Sequence, residues 1–170
     1  AQGLLPAGNF GALITATTWP QISRQRTSVH ATLVREPRGR SLNLDLLLAQ
    51  QDPATVDPAF SLLVGPIVDL ATALWDKWLS KPLIHIGLQE ARKALATSEA
   101  PWYLDYGPFA AALLSARRLG GDIQTTSRGS TEVHLPFFGA VDLYNFGPVT
   151  LKALLIREAE HWILARHVER

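Results

Sequence analysis

The chain has 170 residues, 47% of them hydrophobic and 18% charged, with a net charge of +1. That length suits one domain with extensions around a real core, and a near-neutral charge gives no case for electrostatic nucleic-acid binding, which needs clustered Lys and Arg. Cysteine is absent, which excludes a disulfide framework and thiolate metal sites. Methionine is absent too, even at position 1, and this favours a chain trimmed after synthesis, for example by removal of a targeting peptide. The mean hydropathy of +0.08 is high for a free-standing domain and favours a surface partly covered by partners. The longest apolar run is too short and too interrupted to span a bilayer, so no transmembrane segment is expected.

Residues 1–27 are small, polar and irregular, with Trp19-Pro20 as their anchor, and read as an extended arm in which Trp19 is packed. From Ser28 the pattern has period two: Val29, Ala31 and Leu33 alternate with Ser28, His30 and Thr32. The basic run Arg35–Arg40 contains Pro37 and Gly39, and Leu42, Leu44 and Leu46 alternate beyond it. The pattern predicts a β-hairpin with a solvated basic tip. Asp57-Pro58 opens a helix, with apolar residues at 60, 63, 64, 67, 70, 71, 74, 75 and 78. Pro66 falls inside this stripe and predicts a kink or a late start, and Lys81-Pro82 marks the stop.

Ile84, Ile86 and Leu88 predict the next strand, and residues 89–100 suit either a helix or a weak strand. Gly107-Pro108 starts a second helix, with Phe109, Ala112, Leu113 and Ala116 on one face, and Gly120-Gly121 closes it with a left-handed cap. Two strands, 122–126 and 131–136, follow. Gly147-Pro148 then opens a C-terminal amphipathic helix carrying Leu151, Leu154, Leu155, Trp162 and Ile163. The order predicts an α/β two-layer sandwich with helices on one face of a mixed sheet. It divides into an arm (1–27), a domain (28–137) and a C-terminal extension (138–170).

The stretch "DYGPFAAALLSARRLGGDIQTTSRGSTEVHLPF", residues 105–137, resembles the Bergerat ATP-binding domain of the GHKL superfamily. Its flavour before the helix is closer to the mitochondrial pyruvate and branched-chain ketoacid dehydrogenase kinases than to bacterial histidine kinases. The resemblance covers roughly residues 41–137 and is specific in its last third. It implies three nucleotide-holding elements. The first is a carboxylate and an asparagine four apart on the long helix, the acid orienting a water and the amide oxygen holding Mg²⁺. The resemblance places Asp69 and Ala73 at these positions, and alanine has no oxygen to offer a metal. The second is an aspartate followed by glycines; Glu99 stands there, followed by Ala100 and Pro101, whose bulk would crowd a nucleotide. The third is a long lid ending in a glycine-rich phosphate turn. Only Trp102–Leu104 remain of the lid and only Gly107 of the glycines, with Asp105 beside it to repel phosphate.

The resemblance therefore implies a pseudokinase, a Bergerat fold whose nucleotide site is lost, with no cofactor, no metal and no catalytic residues. Trp102, Tyr103 and Tyr106 are expected to fill the former pocket. No other catalytic constellation is visible. His30, His85 and His134 fall on predicted strands, His161 and His167 lie on different faces of a helix, and Ser127, Ser130 and Thr131 lack a base. The expected function is that of a non-catalytic accessory subunit of a larger protein complex. Its implied setting is mitochondrial, with a respiratory or ATP synthase assembly possible, and cytoplasmic as the alternative. Residues 1–27 and the 148–168 helix are expected to contact the partner subunits. The alternatives are a bacterial signalling phosphotransferase or anti-sigma-like regulator, and an active ATP-dependent protein kinase fragment.

Overall fold

The computed structural model describes residues 17–34, 41–48, 53–97 and 107–168. Ten elements occur in them: helices α1 (Trp19–Leu33), α2 (Leu42–Leu47), α3 (Pro53–Val56), α4 (Pro58–Trp75), α5 (Lys81–Thr97) and α6 (Gly107–Arg118), strands β1 (Asp122–Thr125), β2 (Thr131–Leu135) and β3 (Gly139–Asp142), and helix α7 (Pro148–Val168). The fold is mixed α/β and mostly helical, with one small antiparallel sheet in the order β1-β2-β3. The expected mixed sheet is thus antiparallel among the described residues.

Helix α4 is the centre of the fold, and α1, α6 and α7 pack around it. Asp57 caps it by accepting from the backbone N–H of Ala59 at 2.9 Å, as the Asp-Pro signal predicts. Pro66 sits within the helix, which starts at Pro58 and not late. Gly65, just before it, has no Cβ to meet the proline ring. This is the one helix among the described residues long and apolar enough to cross a membrane, and 61% of its apolar window is buried inside the protein. Phe60, Leu63 and Ile67 on it are essentially inaccessible, each contributing about 1.5–3 kcal/mol of apolar burial.

Three expected strands are helices. Over Ser28–Leu33 the two-residue alternation coexists with a helical stripe of Ile22, Arg26, Val29 and His30, all buried. Arg26 and His30 read as polar-face residues until their carboxylate partners, Asp57 and Asp45, are known. Thr18 starts this helix with a capping box, exchanging bonds with Gln21. Leu42, Leu44 and Leu46 fall on the short helix α2, where Leu46 is buried and Leu44 is exposed. The expected strand at 84–88 is part of α5, because Ile84, Leu88, Ala91 and Leu95 form its buried stripe. Ile84 and Leu88 satisfy both periods, but Ile86 points outward. The ambiguous stretch from residue 89 is helical to Thr97. The basic run 35–40 lies outside the described residues.

The arm is also corrected. From Trp19 it is helix α1, and Ile22 lies fully buried in the main core, so this part belongs to the domain. Trp19 is packed as expected, edge-on to Trp162 of α7 with centroids 5.1 Å apart. Residues 1–16 lie outside the described residues.

The second half follows the sequence. Gly107 opens α6 at φ +80° and Gly120 closes it at φ +81°. Gly121 N–H donates to the carbonyl of Ala116 (2.9 Å) and Gly120 N–H to that of Arg117 (3.1 Å), the two bonds of a Schellman cap. β1 pairs with β2 through Ile123↔Val133 and Thr125↔Thr131, and β2 pairs with β3 through Val133↔Val141. Ile123, Val133, Leu135 and Val141 face the core, while Gln124, Glu132 and His134 keep contact with solvent. Strand β3 is additional to the expected pair. Helix α7 runs back over the core and is tied to the β2–β3 turn by buried Glu158, whose carboxylate accepts from Phe137 N–H at 3.2 Å.

Candidate functional site

The positions singled out by sequence fall in different places. Asp69 and Ala73 lie one turn apart on α4. A groove of about 190 Å³ runs along this part of the helix, bordered by Val64, Gly65 and Asp69 on one side and by Lys152 and Ile156 of α7 on the other. Although Asp69 keeps an exposed edge, partial burial raises its carboxyl above the usual aspartate range, and the Lys152 ammonium pulls it back down. Ala73 is half-buried and offers a methyl group. Helix α7 thus borders the face on which the acid stands. Gly107 has open space where a Cβ would be, so its left-handed φ is what requires glycine there. Glu99, Trp102, Tyr103, Asp105 and Tyr106 lie outside the described residues.

The histidines are dispersed. His30 is buried on α1, with Nε2 2.8 Å from the Asp45 carboxylate of α2, a contact that docks α2. His85 is half-buried on α5, not on a strand. His134 faces partly outward on β2, 3.4 Å from Glu132. His161 stacks on the Phe137 ring with centroids 4.0 Å apart. The side chain of His167 lies outside the described residues. Ser130 and Thr126 bond one another across the β1–β2 turn at 3.0 Å, a structural role. No group of three or more His, Asp or Glu with metal-site geometry occurs among the described residues.

The feature that sequence reasoning missed stands where α4 ends. Trp78 N–H donates to the carbonyl of Ala73 (3.0 Å) and Lys77 N–H to that of Leu74 (3.2 Å), a second Schellman cap. Its left-handed residue is Lys77, at φ +58°, where glycine is the usual occupant. The cap ends the helix before Trp78 can join its buried stripe. Trp75 is 51% exposed and Trp78 is 74% exposed.

The start of α7 meets the same end of the molecule. Trp75's ring edge lies 3.8 Å from where a Cβ on Gly147 would be, and the Lys81 ammonium sits 4.2 Å above the Tyr144 ring. Phe146 and Val149 are also exposed there, Val149 at 84%. The result is an aromatic and aliphatic surface with lysines 77 and 81 beside it. The sequence signal was Trp-Asp-Lys-Trp, in which a charged pair interrupts the apolar stripe.

No family model matches the chain, and neither a curated protein nor a solved structure does.

Proposed function

We propose that this chain is a non-catalytic subunit of a larger protein assembly, docking through the surface formed by Trp75, Trp78, Phe146 and Val149. The observation that carries the reading is the exposure of two tryptophans on one turn, beside the start of α7. Large exposed apolar patches mark interaction sites, and tryptophan is prominent among the residues that dominate binding energy at interfaces. The partner it fits is a protein with an apolar groove and an acidic rim facing Lys77 and Lys81. On this reading residues 1–16 and the exposed face of α7 add further contacts. A mitochondrial assembly is the proposed setting.

The unit from Gly107 to Leu135 is, in this proposal, a GHKL-like shell that has outlived nucleotide binding. Its support is the helix, Schellman cap and hairpin in the expected order, together with Ala73 at the metal-ligand position and Lys152 beside Asp69. Strands earlier in the chain, which the resemblance also implies, are helices here, so the proposal rests on the unit from Gly107 to Leu135 and on the Asp69–Ala73 face.

Two measurements test the reading. Native electrophoresis of the source membrane and soluble fractions should place the chain well above its own mass of 18.6 kDa. The Trp75→Ser/Trp78→Ser variant should fold, by circular dichroism, but migrate alone. A wild-type chain that migrates only at its own mass rules the subunit reading out. Separately, magnesium should not tighten ATP binding, because the helix face of Asp69 and Ala73 lacks the amide oxygen that would hold the metal. Mg²⁺-dependent, saturable ATP binding that perturbs residues 61–73 would restore the kinase alternative.

A further inference from the structure

We infer that the cleft between α5 and β1 binds a small molecule carrying a phosphate group. The cleft has a volume of about 370 Å³, within the range of small-ligand sites. His85, Gln89 and Arg92 line it from one face of α5, at the i, i+4, i+7 spacing that brings helix residues together. Gln124 and Thr125 line it from β1. Gly129, in the β1–β2 turn, approaches the His85 ring: a Cβ there would lie 3.9 Å from Cε1.

Two side chains in this cleft, His85 and Arg92, have polar atoms open to a ligand among the described residues. His85 Nε2 is buried and has no hydrogen-bond partner among the described residues. Such a buried group is costly to leave unpaired, and in the tautomer that carries the proton on Nε2 a ligand oxygen would satisfy it. Arg92 commits one nitrogen, Nη2, to Asp122 at 2.9 Å and to the Ile123 carbonyl. Its Nε and Nη1 have no hydrogen-bond partner among the described residues and can turn to an oxyanion. The amides of Gln89 and Gln124 and the Thr125 hydroxyl add donors from both walls.

The charge balance also favours an anion. Among the described residues no carboxylate lines the cleft. Asp122, whose Oδ1 has no hydrogen bond among the described residues, lies 2.9 Å from Arg92 and 3.8 Å from Arg117, so two guanidinium groups stand around one carboxylate. Glu132, opposite Gln124 in the sheet, is held by Ser130 and His134 at 3.4 Å each. Donors arriving from two walls match a tetrahedral group with three terminal oxygens better than a planar carboxylate, and Arg and phosphate form strong charge-assisted bonds. The volume beyond one phosphate accommodates the organic part of a monoester.

The site is independent of the docking surface and of the Asp69 face, and the test separates them. Purified full-length chain is titrated with inorganic phosphate, ribose 5-phosphate, ribose and citrate, following backbone amide shifts. The phosphate and the monoester should bind saturably, shifting residues 85–92, 124 and 125, with ribose silent and citrate weaker. His85→Leu and Gln89→Leu, each checked by thermal melting, should weaken monoester binding about tenfold, the loss of one charge-assisted or buried bond; Arg92→Gln should abolish it. Absence of saturable binding at millimolar concentration overturns the proposal. So does equal affinity for citrate, affinity unchanged in the His85 and Gln89 variants, or shifts confined to residues 61–73.

Discussion

Arg26 of α1 reaches across to Asp57, the residue that caps α4, and its Nε lies 2.9 Å from each carboxylate oxygen. Nη2 approaches Oδ2 at 2.8 Å, and both side chains are almost completely buried; Nη2 is outside hydrogen-bond geometry. One carboxylate thus does two things, starting the central helix and fixing the helix before it. Replacing Arg26 with Met leaves a buried charge unpaired and should cost about 3–5 kcal/mol. Adding Asp57→Asn should recover part of that loss, since Asn also caps helices. Urea unfolding with a lowered midpoint and an unchanged slope is the expected readout. A single Arg26→Met variant as stable as the wild type would show that the pair is dispensable.

Deleting residues 1–27 should unfold the domain. The deletion removes Ile22 from the core and Arg26 from Asp57. The extended-arm reading predicts the reverse, a folded and merely detached domain. Circular dichroism of the truncated chain decides between them.

Gly121→Ala should destabilise strongly. A Cβ at this position would collide with the backbone carbonyl of His134, and backbone atoms cannot step aside as a side chain can. Overpacking of this kind costs about 1–3 kcal/mol. Gly107→Ala, by contrast, meets open space and should cost only the left-handed conformation, about 1 kcal/mol. Thermal midpoints of the two variants should differ in that order.

Lys77→Gly should raise stability by roughly 0.5–1 kcal/mol, because glycine carries no Cβ penalty at a left-handed cap. The gain should appear in chemical denaturation. A loss would mean that the Lys77 side chain makes up for its own strained backbone.

Asp69 gives a pH dependence with a defined sign. Its carboxyl is raised in the folded protein, so the native state holds its proton to higher pH than the unfolded chain does. The group therefore favours the folded state at low pH, and this contribution is lost as pH rises through the folded pKa. Asp69→Asn should be more stable relative to wild type at neutral pH than in acid. Lys152→Ala should widen the difference, as it removes the charge that lowers the Asp69 pKa. A pH profile identical in wild type and Asp69→Asn would show that the groove does not perturb the carboxyl.

The second half of the fold was legible because its signals are local. Gly107-Pro108, Gly120-Gly121 and the turn glycine at 129, whose φ is +78°, each fix the backbone within a few residues. In the first half, the deciding information lies far away in sequence. Arg26 and His30 are helix-core residues only because Asp57 and Asp45 meet them, and Ile84 and Leu88 fit a strand or a helix equally well. The candidate surface was hidden for a related reason. Trp75 and Trp78 belong to the apolar stripe of α4 on paper, but Trp75 is the last residue of the helix and half exposed, and the cap at Lys77 keeps Trp78 from joining the stripe.

The bond from Arg92 to the Ile123 carbonyl has a second meaning for how this molecule keeps to itself. β1 is an edge of the sheet, and its outward carbonyls are an open invitation for another chain to add a strand. The guanidinium occupies one of those acceptors and sets a cation where an incoming backbone would have to lie. Aggregation by strand addition would therefore start at β1 whenever α5 lifted away. Variants that loosen this helix should form fibrous or oligomeric species before they lose their helical content.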